Sequence, residues 1–246
     1  MLHDVLLFSH ENVRSMARLI GMKRKLKGLW PVLIILISAA SAHAQTNPPQ
    51  SQEDVQSWND ITLTVPLTKH FDFFLLATGR IGRNLSRINE GRIGLGYVWK
   101  PNNALSFSPY WIYIDARNTA GQFRVEQRLH FRASYKFPIE RFGLSHRSLF
   151  EYRIREGQPD SWRYRPSLTA EKDIPERIIP KAKFFVTEEP FYVSTTNKFS
   201  RNRFTAGINK TLNPNLSVDL YYMRQNDGFS RPGDLNVIGT SWRIKL

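Results

Sequence analysis

The segment Gln122–Phe137, QFRVEQRLHFRASYKF, constrains the fold more than any other stretch of the chain. Alternate residues from Phe123 (Phe123, Val125, Gln127, Leu129, Phe131, Ala133, Tyr135 and Phe137) are almost wholly apolar. The intervening set, Gln122, Arg124, Glu126, Arg128, His130, Arg132, Ser134 and Lys136, carries no apolar side chain. A strand sends successive side chains to opposite faces, so the segment is a ribbon with one greasy face and one charged face. Wound as a helix, the same apolar residues would scatter around the whole circumference. The ribbon is also long: globular strands run about 5–6 residues, whereas a tilted transmembrane strand needs about 9–11.

The rest of the chain repeats this unit. Ile61, Leu63, Val65 and Leu67 form one apolar face, and Phe71, Phe73, Leu75, Ala77 and Ile81 form the next, opposite Asp72, Thr78 and Arg80. The same alternation runs through Ile93–Trp99, Leu105–Tyr113, Leu144–Glu156, Trp162–Asp173, Ala182–Glu189, Arg201–Leu212, Leu216–Tyr222 and Ile238–Leu246. Turn signals such as Pro101-Asn102-Asn103 and Asn213-Pro214-Asn215 fall near positions 69, 102, 140, 177 and 214. Their spacing of roughly 33–38 residues predicts a hairpin repeat with short turns at one end. Longer loops are expected at the other end, at Asn84–Asn89, Asn118–Gly121, Gly157–Ser161, Phe191–Ser200 and Asp227–Asp234.

Residues 22–44 read as a secretory signal: Lys23, Arg24, Lys25 and Lys27, then an apolar run, then Ala42-His43-Ala44 as a small-x-small cleavage site. The apolar run is too short for a comfortable membrane-spanning helix. Residues 1–21 precede a natural start at Met22 and read as an over-extended N-terminus, and 45–56 as a polar linker containing Pro48-Pro49. Removing residues 1–44 takes away six basic and two acidic residues, leaving 29 against 19, so the basic balance is not a targeting artefact.

The formal net charge of +14 raises a nucleic-acid reading. The basic residues alternate along strands and mix with Glu instead of gathering in a patch, so no nucleic-acid partner is expected. There is no cysteine, which removes disulfides and thiolate metal sites, and no spaced ligand set for a metal or cofactor appears. A mean hydropathy of −0.40 excludes a helical membrane protein but not a barrel with a polar interior.

The expected fold is all-β: an antiparallel up-and-down transmembrane β-barrel of 10–12 strands over residues 57–246, after a cleaved N-terminal signal peptide. Eleven patterned segments can be counted, whereas single-chain bacterial barrels have even strand numbers. Aromatics near strand ends, Tyr97, Trp99, Trp111, Tyr113, Trp162, Tyr164 and Trp242, are expected at the two membrane interfaces. Arg is scarce on the outward set, since it costs about 2–4 kcal/mol at the midplane of a barrel's lipid face. Lys172, Glu188 and Lys210 are outward charges placed near strand ends. A soluble secreted β-protein alternates in the same way and is the competing architecture.

Over Val55–Leu246 the chain resembles an uncharacterised family of small bacterial outer-membrane β-barrel proteins, the domain of unknown function 2490. Trp58, the FRVEQRLHFRASYKF and RNRFTAGINKTLNPNLSVDLYYMRQ segments, and the closing Gly239, Ser241, Arg243, Lys245 and Leu246 carry the resemblance. It implies a barrel in the bacterial outer membrane and no activity. Trp242, Ile244 and Leu246 resemble the apolar C-terminal signal read by the barrel-assembly machinery, although a terminal Phe is commoner there. The expected partners are that machinery, the export machinery, and outer-membrane lipids and lipopolysaccharide.

The inward set predicts a lumen lined by Arg124, Glu126, Arg128, His130, Arg132, Arg147, Glu151, Arg153, Arg155, Arg163, Arg165 and Glu171, with Arg80, Glu90, Arg92, Asp173, Arg201 and Arg203. Arg–carboxylate pairs can satisfy one another inside a narrow barrel. Eight-stranded barrels are filled by side chains and open channels need about 16–18 strands, so a narrow or blocked pore is expected. The excess of Arg over Glu favours anionic solutes if any pass. The alternative is a lipid-modifying hydrolase or acyltransferase, for which His130, His146 and His70 are the available histidines. No G-x-S-x-G or H-x-x-x-H motif supports it, and no catalytic residue is assigned.

Overall fold

In the computed structural model, residues 53–118, 121–230 and 232–246 are described. The signal segment, its cleavage site at Ala42 and Ala44, and residues 1–21 lie outside them. Eleven strands follow in chain order: β1 (Glu53–Pro66), β2 (Phe71–Gly82), β3 (Arg87–Trp99), β4 (Leu105–Arg117), β5 (Phe123–Phe137), β6 (Gly143–Arg155), β7 (Gln158–Asp173), β8 (Ala182–Val193), β9 (Lys198–Asn213), β10 (Leu216–Asp227) and β11 (Asp234–Lys245).

Each strand pairs antiparallel with its neighbour in sequence, and β11 closes the barrel by pairing in parallel with β1. The register runs from Glu53↔Asp234 to Thr64↔Lys245. An up-and-down chain with an odd number of strands begins and ends in the same direction, so only a parallel seam can close it. The unpaired parity of the sequence pattern is resolved in this way, at eleven strands.

The rim that carries Leu246 is called lower and the opposite rim, where β1 begins, upper. The expected difference in loop length is absent. The strands run on into the segments read as long loops, so β8 and β9 are joined only through residues 194–197, whereas the lower connection 174–181 is among the longest. β1 likewise starts at Glu53, inside the segment read as a linker, because Asp54 and Gln56 take inward positions and a polar alternation marks a strand poorly. Asp54 then works as an anchor: its carboxylate accepts the backbone N–H groups of Arg83 at 3.0 Å and Asn84 at 2.7 Å. Arg83, Asn84 and Leu85 all hold positive φ, which for such residues costs energy unless the surroundings impose it.

The two faces differ as alternation requires. On β5, Leu129 and Phe131 are each 51% exposed while the intervening Arg128 and His130 are buried. The outward belt includes Ile61, Leu75, Ile93, Phe150, Leu220 and Ile238, all exposed. A continuous apolar belt around a whole barrel far exceeds the few hundred Å² of patch that a water-soluble surface presents. It is the surface of a protein that sits in lipid, which disposes of the soluble alternative on physical grounds.

The inward face is less polar than the alternation suggests. Trp58, Phe74, Ile112, Ile114, Leu149, Phe191, Val193, Met223, Leu235 and Val237 are all buried. Trp58, Met223, Leu235 and Val237 form one cluster against which Tyr221 packs. Gly239 lies directly opposite Tyr221, and a Cβ there would stand 2.2 Å from the phenol ring, so only glycine admits this packing.

Candidate functional site: an arginine-lined vestibule

The inward charges gather into connected groups along β2 to β9. Glu126 accepts from Arg128 Nε at 2.7 Å and takes both Nε and a terminal nitrogen of Arg153, the latter at 2.8 Å. Glu90 is held between Arg80 at 3.1 Å and Arg92. These pairs arise because carboxylate and guanidinium occupy same-face positions two residues apart on one strand, directly opposite on neighbours (Arg80 and Glu90) or diagonal across them (Glu126 and Arg153).

Deeper in the lumen Arg165 bridges two glutamates. It donates to Glu151 at 2.5 Å and to both oxygens of Glu189 at 2.8 and 3.0 Å. Glu151 is fully buried and also faces His130 at 3.5 Å and Arg163 at 3.8 Å. Arg147 pairs with Glu189. The His130 ring stands edge-on to Tyr110 with centroids 4.4 Å apart, and Arg132 lies over the same Tyr110 ring at 5.4 Å while donating to Ser108. On the far wall Arg201 pairs with Asp227, and Arg203 donates to Gln225 at 2.8 Å.

Above this layer opens a cavity of about 530 Å³. Arg117 and Gln158 from the upper strand ends and Asn118 and Ser230 from the upper connections contribute to its wall, which places its mouth at the upper rim. Ten arginines line it against two glutamates, Glu90 and Glu126. The charge is therefore not balanced within the wall. Arg155 reaches only neutral acceptors, Pro159 O at 3.0 Å and Ser161 Oγ at 3.2 Å. The floor is the Arg165–Glu151–Glu189 layer together with Phe191, on which Arg165 and Arg203 stack at 4.2 and 4.7 Å.

The residues read as lumen-lining are not all brought together. Arg124 is exposed at the upper rim, with Gln122 as its partner at 3.5 Å. Glu171 and Asp173 sit at the lower rim beside Lys183. Strand ends clear the barrel wall, so inward parity there means a rim position and not a lumen one. Sequence reasoning missed Trp58, Phe191, Gln225 and Ser230. The signal that could have found Trp58 is its even-number parity with Asp54 and Gln56, which puts it on the inner face.

The aromatics form two ribbons of adjoining rings on the outward face, stacked except for the edge-on Tyr192–Phe199 pair. Phe71, Trp99, Phe107 and Phe131 follow one another near the lower rim, at centroid separations of 6.3, 5.6 and 6.2 Å. Phe150, Trp162, Tyr192 and Phe199 do so nearer the upper rim, at 5.8, 5.4 and 5.5 Å. Tyr97 is exposed beside Phe73, Trp111 donates to Gln127 at 3.1 Å and tilts against Tyr113, and Trp242 and Leu246 are exposed toward the lower rim, with Ile244 between them. Tyr164 lies lower on β7, hydrogen-bonded to Ser148 at 3.1 Å, and Ser148 in turn meets His146 Nε2 at 3.0 Å. Glu188, read as a strand-end charge, is in the middle of β8 and accepts from Asn202. Its neighbours Glu189 and Pro190 had blurred the strand's extent.

The sequence model of a family described as protein of unknown function (DUF2490) matches residues 55–236. No curated protein matches the chain. Among solved structures the chain is similar to an anion-selective porin from Comamonas acidovorans, at 13% identity over 72% of this chain and 54% of that one, with a TM-score of 0.38. It is also similar to KdgM porin, at 9% identity over 72% and 92% of the two chains and a TM-score of 0.42. For NanC porin the identity is 10%, the coverage 78% and 96%, and the TM-score 0.47. The chain thus spans about half the length of the first of these porins.

Proposed function

The chain belongs to the family of proteins of unknown function DUF2490, and from that premise we propose that it is a narrow barrel of the bacterial outer membrane whose arginine-lined vestibule collects small anions and grants them limited passage. The observation that carries this reading is the vestibule's ten arginines against two glutamates. In a low-dielectric wall such an excess concentrates anions and repels cations before either reaches the constriction.

Passage is limited because the lumen below is occupied. The Arg165–Glu151–Glu189 bridge, the Tyr110–His130 pair and the Trp58 cluster fill its middle. Eleven strands stand between the filled eight-stranded barrels and the open channels of about 16–18 strands. The upper rim, where the vestibule opens, faces outward in this reading, and the C-terminal Trp242, Ile244 and Leu246 enter the assembly machinery from the periplasm. Outer-membrane lipids contact the apolar belt, and the protein performs no catalysis.

Single-channel recording in planar bilayers under a salt gradient tests the proposal. The expected result is a small conductance with a reversal potential on the anion-selective side. Cation preference, or no conductance at all, overturns it.

A further inference from the structure

The vestibule accounts for none of the polar groups on the outward face of β6 to β9. There His146 Nε2 meets Ser148 Oγ at 3.0 Å, Ser148 meets the Tyr164 hydroxyl at 3.1 Å, and Asn202 donates to Glu188. The ladder between β7 and β8 is also interrupted between Tyr164↔Tyr192 and Leu168↔Glu188, where Pro166 faces Pro190. Proline has no N–H to give, so neither Pro166 nor Pro190 can donate to the ladder at this break. A carboxylate and a gap in the ladder are both costly against hydrocarbon.

The two halves of the patch share a depth. Gly143 at the lower rim is in register with Glu171, then Phe185, Gly207 and Tyr221, and Tyr221 stands well above the start of β10 at Leu216. Each strand from β6 to β10 therefore lifts the rows by about 3 Å, as a barrel tilt near 40° requires. Glu188 lies on the row of His146, which is one same-face position below the row of Ser148 but two strands further up the slope. Ser148 and Glu188 therefore lie level, near the middle of the wall, with Leu168 between them.

We propose that this patch is the contact between two copies of the chain, lying side by side about a twofold axis that runs along the membrane normal past Leu168. The inference rests on the outer-membrane barrel reading but not on anion passage. A partner at this depth must itself be embedded, and two copies inserted the same way present equal depths to one another. The twofold sets the Ser148–His146 donors of each copy against the acceptor Glu188 of the other, an isologous and self-complementary arrangement. Lipid chains offer neither donors nor acceptors. The Ser148–His146 pair lies too deep for a lipid ester to reach, so the interface reading takes precedence over acyl transfer.

The chain has no cysteine, so single substitutions report contacts cleanly. Leu168→Cys is placed at the axis, and Leu75→Cys on the outward face of β2 serves as the control. On oxidation in isolated outer membranes, Leu168→Cys should give a species of twice the chain mass, at least tenfold above the control. Adding Glu188→Leu should abolish it. Monomeric Leu168→Cys, an adduct with a different protein, or equal dimer from Leu75→Cys would each overturn the proposal. If Leu168→Cys fails to assemble, the mass of the unsubstituted protein in nanodiscs decides, and a monomer sinks it. Recovery of the chain in the soluble fraction would instead defeat the membrane reading.

Discussion

The guanidinium of Arg80 lies over the indole of Trp58, 3.5 Å from the ring centroid. Trp58 is 5% exposed on the inner wall, and Arg203 approaches the same ring at 4.9 Å. One aromatic side chain thus joins the apolar plug to the charged wall of the vestibule, by cation–π contact on its faces and by packing against Met223, Leu235 and Val237.

Replacing Trp58 by Ala should therefore loosen both. Removing a buried Trp costs about 3–5 kcal/mol, so the midpoint of urea unfolding in detergent should fall markedly. The vacated space adjoins the vestibule floor, so channel conductance should rise above that of the unsubstituted barrel. An unchanged conductance in folded Trp58→Ala would show that the constriction lies elsewhere.

Asp54 is expected to matter beyond its position at the start of β1. It also accepts Gln56 Nε2 at 2.8 Å, and through its contacts to Arg83 and Asn84 it imposes the left-handed turn on the β2–β3 connection. Asp54→Ala should destabilise the barrel by about 1–3 kcal/mol. It should also render the segment around Arg83–Ser86 susceptible to added protease in intact cells. Resistance equal to that of the parent protein would contradict the anchoring role.

Glu151 is fully buried with Arg165 at 2.5 Å, and the Arg163 guanidinium and the His130 ring also face it. Glu151→Gln leaves those guanidinium groups partly uncompensated and should cost about 3–5 kcal/mol. Because Arg165 retains Glu189, the charge-conserving Glu151→Asp should recover much of the loss. Equilibrium unfolding of the three proteins in one detergent makes the comparison.

Arg163 behaves oppositely. It is 8% exposed, and its carboxylate contact, Glu151, stands at 3.8 Å, so its charge is poorly compensated. Arg163→Gln should leave stability unchanged within about 1 kcal/mol or raise it, since a poorly paired buried cation is a burden. The reversal potential under a salt gradient should move toward zero. A stability loss above about 3 kcal/mol would show that the charge is held by more than Glu151.

The sequence by itself settled which residues share a face and where most of the strands turn, and bounded their number at 10–12. Leu129 and Phe131 outward with Arg128 and His130 inward follow from a two-residue period that is local and needs no partner. Trp58, which sequence reasoning missed, obeys the same local rule, yet what it touches could not be read, because Met223 and Val237 lie on strands from the far end of the chain. Loop lengths were misjudged because polar strand ends such as Glu53–Gln56 and Lys198–Ser200 have no apolar face to mark them. Tertiary structure alone decided the parallel β1–β11 seam, the Arg165 bridge from Glu151 to Glu189, and the polar patch around Ser148 and Glu188. Each depends on register and closure around the whole barrel: alternation sets the face a side chain occupies, and only the closed ring of strands determines which side chains meet there.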